Sequence, residues 1–280
     1  MSEQQLESPN APLRIGAVRY LNSRPLTVFL AEVARRKGLP VEVVFDLPSR
    51  LATGLADGRL DVALIPSIEQ ARQPGTTIVS DACIASRGPV RSVNLFGRVP
   101  VERIRTLALD EGSRTSAALT RILLAERYHL RPELRPLPIG ASPEETDADA
   151  ILLIGDRGML PPSEPYAFVW DLGDAWFQWT GLPFVFATWV ARPGVDSHEI
   201  ESLLVATREE GLGRLEEIAR TEAPKLGLSE EACLSYLRHN LVFFLGPAQK
   251  QGLAEFFRLA GRHGLAPRGV ELAFANREIA

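Results

Sequence analysis

Short apolar runs alternate with helical stretches through the first 67 residues, and this alternation leaves the chain little choice of architecture. Residues 13–18 are an apolar run of strand length, and after the turn Tyr20-Leu21-Asn22-Ser23-Arg24-Pro25-Leu26 an apolar-periodic helix is expected over 26–36. Lys37-Gly38 ends it with a basic residue and a glycine free to take the left-handed turn. A strand over 41–45, a helix over 50–57 between Pro48-Ser49 and Gly58, and a strand over 62–65 complete the run. Strand–helix–strand–helix–strand builds a parallel sheet with helices on its faces. The pattern returns in the middle third, with strands over 106–109, 150–154 and 166–171 and a helix over 113–128. From about His198 the chain reads as helices, over 199–221, 229–240 and 247–263.

Two segments, 92–98 and 184–191, are extended, apolar and β-rich, unlike the strand–helix units they bracket. A chain that leaves one lobe, builds a second and returns needs two crossings at such places. The expected fold is α/β and two-lobed, with 1–95 plus 192–280 as the first lobe and 96–191 as the second. A ligand cleft then lies between the lobes, at the carboxyl ends of the strands.

At 280 residues the chain can bury a substantial core, and 45% hydrophobic with 24% charged residues excludes a disordered polymer. A net charge of −4 with scattered Lys and Arg lacks the basic stripe that a nucleic-acid partner requires. No run of about 18 apolar residues predicts a membrane span. Residues 1–13 are polar and acidic, without the apolar region of a secretory signal. Cys83 and Cys233 stand far apart in sequence; they could pair in space, but without a secretory signal they are expected as reduced, buried thiols and the protein as cytoplasmic. Nothing in the sequence bears on oligomeric state.

Small polar groups cluster where the strands end. Asn22-Ser23 follows the first strand, Ser67 the third, Ser86-Arg87-Gly88 precedes the first crossing, and Ser113-Arg114-Thr115-Ser116 heads a helix. Hydroxyls and unpaired N–H groups of this kind hold a carboxylate or phosphate without a metal. Each alone reads first as an N-cap, but four at successive strand ends point to an anion-binding cleft. All four tryptophans fall in 170–189: Trp170 and Trp189 read as core, while Trp176, Trp179 and Phe184 flank the turn Thr180-Gly181-Leu182-Pro183 and offer a flat apolar wall. His129, His198, His239 and His263 share no metal-ligand spacing, so no metal is expected. Asp156 is the best-placed acid, with a turn or cap role as its plainer reading.

YLNSRPL (20–26), DVALIPSIE (61–69), CIASRGPVRSVNLF (83–96), LDEGSRTSAAL (109–119), LLIGD (152–156) and DLGDAWFQWTGLPFVFATW (171–189) together resemble the chorismate dehydratases of the futalosine route to menaquinone. The resemblance covers about residues 13–192, in order. It implies a type II periplasmic-binding-protein-like fold turned to catalysis. It also implies loss of water from chorismate to give 3-[(1-carboxyvinyl)oxy]benzoate, with no metal or organic cofactor. Carried onto this sequence, Asn22 is expected as the amide near the reacting carbons and Ser86 as the donor to the leaving hydroxyl or a carboxylate. Ser113, Thr115 and Ser116 are expected to grip a carboxylate, and Ser23, Ser67, Arg87, Gly88, Arg114, Asp156, Trp179 and Thr180 to complete the substrate contacts. Gly97 stands where the family pattern suggests a serine, and Arg157-Gly158 replaces smaller residues. The implied partner is a small molecule, with neither nucleic acid nor membrane. Two alternatives stay open: the sister 1,4-dihydroxy-6-naphthoate synthase, which uses a second-lobe histidine where this chain has only His129, and a non-catalytic carboxylate-binding protein.

Overall fold

The computed structural model describes residues 11–160 and 165–275; the acidic stretch 1–10, with its expected lack of a signal sequence, lies outside the described residues. β1 (Leu13–Ala17) leads into α1 (Arg24–Thr27) and α2 (Leu30–Arg36). The single helix expected over 26–36 is therefore broken, at Val28-Phe29, where Phe29 takes φ −100° and ψ 4°. β2 (Val41–Phe45), α3 (Pro48–Ala56), β3 (Val62–Pro66), α4 (Ser67–Arg72) and β4 (Thr77–Ser86) follow. The chain then crosses to β5 (Val93–Gly97), β6 (Thr106–Asp110), α5 (Arg114–Tyr128), β7 (Glu133–Leu137), β8 (Ala150–Ile154), α6 (Gly155–Met159), β9 (Phe168–Asp171) and α7 (Leu172–Thr180). It returns through β10 (Phe184–Ala191) to α8 (His198–Gly213), α9 (Leu215–Leu226), α10 (Glu230–His239), β11 (Val242–Phe244) and α11 (Pro247–Arg262). The helix expected over 199–221 is likewise two, divided at Arg214.

Two sheets result, ordered β11-β4-β10-β3-β1-β2 and β7-β6-β8-β5-β9. Each has a parallel trio, β2-β1-β3 in one and β7-β6-β8 in the other, flanked by an antiparallel strand. That antiparallel strand is the one laid down on entering the lobe: β5 after the outward crossing, β10 after the return. This corrects the expected boundaries. β10 pairs with β3 and β4 and belongs to the first sheet, and the second sheet begins at Val93, so the crossings are the short stretches 87–92 and 181–183.

The glycine at 97 has a packing reason: a β-carbon there would stand 2.0 Å from the Phe168 ring of β9, which covers the bare backbone of its neighbour. Gly158 is as constrained, since its β-carbon would lie 2.5 Å from the Ser92 carbonyl. One hydrophobic core runs through both lobes, and Trp176 and Trp189 are fully buried in it. Trp176 meets Trp179, Phe184 and Phe256 edge-on, at centroid distances of 5.9, 5.2 and 6.3 Å. Both cysteines are buried and unpaired. Among the described residues no helix is long and apolar enough to cross a membrane.

Candidate functional site

The C-terminal ends of β1 and β3 face the N-terminus of α5 across the junction of the lobes, and a cavity of about 60 Å³ lies between them. Tyr20, Asn22, Ser113, Thr115 and Ser116 supply its polar lining, the last three from the N-terminus of α5. Val18, Pro48, Leu64, Pro66, Ile84, Val90, Val93, Ile154 and Phe186 form the apolar remainder. Ligand pockets usually run to about 300–1,000 Å³, so the space between the lobes must widen to admit a ligand. α5 has 15 residues, and the N-terminal N–H groups of such a helix present partial positive charge toward the cavity. Ser113, at the N-cap, makes no capping bond with its side chain, which leaves its hydroxyl available.

Several contacts fasten the lobes. The Leu21 amide of the first lobe donates to Asp156 Oδ1 of the second at 2.9 Å. Thr115 Oγ1 accepts from the Ile68 amide at 3.2 Å and lies 3.4 Å from Ser67 Oγ. Arg114 reaches across to the buried Glu69 at 2.8 Å and to Thr53 Oγ1 at 3.2 Å, and Glu69 also holds Arg72 at 2.9 Å. Asp171, the N-cap of α7, accepts from the Val90 and Arg91 amides and from Asp174, which pins the outward crossing where Arg91 takes φ 61°.

Burial dominates the electrostatics. It raises the Asp156 carboxyl, with Glu222 adding to the rise and the Leu21 amide opposing it. Asp110 is also raised by burial, against the pull of the Gly112 amide and of Arg157, which approaches to 3.6 Å. The Tyr20 phenol is pushed up to about 12, by burial first and then by Asp110 and Asp156.

The expected site residues divide into three groups. Asn22, Ser113, Thr115 and Ser116 line the cavity together, with Thr115 Oγ1 also taking part in the contact to Ser67 and Ile68 across the lobes. Asp156, Ser67 and Arg114 lie at the lobe junction and bond protein partners: Asp156 Oδ1 the Leu21 amide, Ser67 Oγ the Val185 carbonyl, and Arg114 the Glu69 carboxylate. Ser23, Arg87, Trp179 and Thr180 are not part of the cavity lining. Ser23 Oγ donates to the Val18 and Tyr20 carbonyls, because a short polar residue in a tight turn satisfies its own backbone. Arg87 is exposed and stacks on Phe177 at 5.7 Å. Thr180 closes the last turn of α7 through the Trp176 carbonyl and the Leu182 amide, and Trp176 and Trp179 belong to the aromatic core, so the apolar wall is Phe186 rather than a tryptophan. Ser86 and Gly88, whose φ is +97°, are not part of the lining either. The Ser86 hydroxyl is fully buried, has no hydrogen-bond partner among the described residues, and would be 2.5 Å from a β-carbon on Gly173.

Sequence reasoning missed Tyr20, Gly112 and Phe186. Tyr20 heads the YLNSRPL stretch, but a lone aromatic after a strand carries no signal of its own. None of the four histidines lines the cavity: His129, His198 and His239 are exposed, and His263 pairs with Glu126 at 2.6 Å.

Twin sheets of one strand plan, joined by two short crossings and closed over a cavity polar at one end, define the two-lobed periplasmic-binding-protein class of fold. Solved structures agree. A protein of Archaeoglobus fulgidus superimposes with a TM-score of 0.69 at 17% identity, covering 91% of this chain and 98% of that one. The periplasmic aliphatic sulphonate binding protein of Escherichia coli does so with a TM-score of 0.63 at 16% identity, over 95% and 91%. The menaquinone biosynthesis family model matches residues 13–262. Chorismate dehydratase of Thermus thermophilus is 34% identical over 275 residues, covering 89% of this chain and 96% of the relative. The chain belongs to the family of chorismate dehydratases of menaquinone biosynthesis.

Proposed function

We propose that this chain dehydrates chorismate to 3-[(1-carboxyvinyl)oxy]benzoate, and that Asn22, Ser86 and the hydroxyls of Ser113, Thr115 and Ser116 are the residues that serve the reaction. The observation that carries the reading is the cavity's division into an α5 end of hydroxyls and helix N–H groups and an apolar remainder walled by Phe186, Leu64 and Ile84. A ring bearing a carboxylate matches that division: the anion meets the helix terminus and the ring fills the apolar part.

The chemistry asks little of the protein. The hydrogen on ring C3 is vinylogous to the C1 carboxylate, so its removal spreads charge over the ring diene and onto that carboxylate. Expulsion of the C4 hydroxyl then makes the ring aromatic; the proton and the hydroxide leave as one water. Hydrogen bonds at the α5 terminus strengthen as charge moves onto the carboxylate, which stabilises the transition state more than the ground state. No histidine and no carboxylate lines the cavity among the described residues, and Asp156 is committed to the Leu21 amide. The substrate's own enolpyruvyl carboxylate is the base in this reading, with the Asn22 amide holding it in place. Asn22 is half-buried at the cavity wall, and its carboxamide takes no partner among the described residues. Ser86, fully buried and outside the cavity lining, has a hydroxyl without a partner among the described residues; in this reading it bonds the departing hydroxyl after the lobes re-arrange around the substrate. The buried, unpaired Cys83 and Cys233 support a cytoplasmic setting, where thiols stay reduced.

Purified protein incubated with chorismate and no added metal is expected to yield an aromatic product lighter by one water, with the enolpyruvyl ether intact, by chromatography with mass detection. Unchanged chorismate from folded protein rejects the reading. Asn22→Ala and Ser86→Ala are expected to lower kcat by about 10²–10³, the usual cost of a transition-state hydrogen bond, with a much smaller change in substrate affinity. Equal losses of kcat and affinity would remove both residues from the chemical step.

A further inference from the structure

Tyr20 belongs to the first lobe, yet its side chain is built into the second. A β-carbon on Gly155 would stand 3.0, 3.1 and 3.1 Å from Cγ, Cδ1 and Cδ2 of Tyr20, so the ring lies flat on that glycine. Gly155 has φ +62°, a conformation that favours glycine, and any side chain there would displace the ring. Stacked this way, the ring carries its hydroxyl to within 3.6 Å of the β-carbon position of Gly112, one residue before the Ser113 that caps α5. Each of the two acids near the ring accepts a backbone amide through its Oδ1. Asp110 Oδ1 accepts from the Gly112 amide at 2.9 Å, and Asp156 Oδ1 from the Leu21 amide at 2.9 Å. Tyr20 lines the cavity beside Ser113 and Ser116, and its hydroxyl makes no hydrogen bond to a described residue.

We propose that Tyr20 is the first-lobe donor to the ligand carboxylate seated at the α5 terminus, and so couples binding of that anion to closure of the lobes. The inference rests on the reading of the cleft as a carboxylate site. It adds what that reading lacks, a group from the opposite lobe that reaches the same anion only when its ring is seated on Gly155. Ser113 and Ser116 grip the carboxylate whether the lobes are open or closed; Tyr20 grips it only when they are closed. Because a phenol with Asp110 and Asp156 nearby keeps its proton, the hydroxyl remains a donor across the working pH range.

Tyr20→Phe separates this role from simple packing, since it keeps the ring on Gly155 and removes only the hydroxyl. Chorismate turnover would be measured for both proteins, with calorimetric titration of the product 3-[(1-carboxyvinyl)oxy]benzoate and a thermal midpoint for each. A hydrogen bond to a charged group corresponds to about a ten- to hundredfold change in affinity. The expected result is a rise in KM of that order, matched by the loss in product affinity, with a smaller fall in kcat because charge builds on the same carboxylate in the transition state, and with the thermal midpoint unchanged. Unaltered KM and product affinity overturn the proposal. So does a fall in kcat at constant KM, which would move the hydroxyl from the anion to the reacting carbons. Should wild type bind the product but leave chorismate unchanged, the dehydratase reading fails while the titration still decides the role of Tyr20; a wild type that binds neither overturns both.

Discussion

Gly173→Ala tests whether the space around Ser86 is as tight as it stands in the fold. The added β-carbon would lie 2.5 Å from Ser86 Oγ, 2.7 Å from the Gly88 carbonyl oxygen and 3.1 Å from Val90 Cβ. Ordinary contact begins near 3.4 Å, so the first two fall short by 0.9 and 0.7 Å. Relief by rotation is blocked at Ser86, which is fully buried, and at Gly88, whose carbonyl belongs to a turn at φ +97°. α7 must therefore shift away, at the cost of about 1–3 kcal/mol typical of overpacking, or roughly 2–10 °C in Tm for a chain of this size. The same shift pulls α7 from Asp171 and the outward crossing, and a displacement approaching 1 Å near the chemistry lowers kcat by up to about a hundredfold. The assay is a thermal melt and chorismate turnover for the four members of the cycle formed with Ser86→Ala. Removing Oγ relieves the nearer clash, so part of the lost Tm should return in the double variant. Wild-type Tm and turnover in Gly173→Ala, or strictly additive losses of Tm across the cycle, would refute the reasoning.

Two further outcomes follow from the lobe fasteners. Arg114→Met removes the Glu69 partner that spans the lobes and leaves Glu69 with Arg72 alone; Arg114 is about a third exposed, so the expected effect is a modest rise in KM with little change in Tm. A fall in KM would show that this ion pair hinders closure on substrate. Asp156→Asn keeps an oxygen for the Leu21 amide and removes a buried charge whose folded pKa is raised. Folding pays for that charge above the folded pKa, and the cost disappears as pH falls toward the unfolded value. The variant should therefore be at least as stable as wild type at about pH 8, with the gain vanishing toward about pH 4; melts across that range check it, and a variant less stable throughout refutes it.

Much of the scaffold was legible in the order of residues. Apolar runs of strand length and periodic helices place β1 to β3, β6, β8 and α5 within a residue or two, because burial of a strand on both faces or a helix on one writes its period directly into the sequence. The hydroxyls at the head of α5 were equally visible, since a polar group before a long helix has a fixed place at its terminus. Membership of the second lobe was not. Phe184–Ala191 reads as an extended apolar segment, and only hydrogen bonding to β3 and β4 assigns it to the first sheet. Nor could sequence separate the groups that face the ligand from those that hold the lobes together. Ser23 and Asn22 are neighbours, and one is consumed by its own turn while the other meets the cavity. Arg114 and Ser113 are neighbours too, one pairing with a glutamate 45 positions earlier and the other left to the cleft. Tyr20 reaches Gly155 across more than 130 residues of chain. Local period and composition determine which elements form; which polar atoms remain free once they pack is decided by partners distant in sequence, and the cavity is made of what those partners leave over.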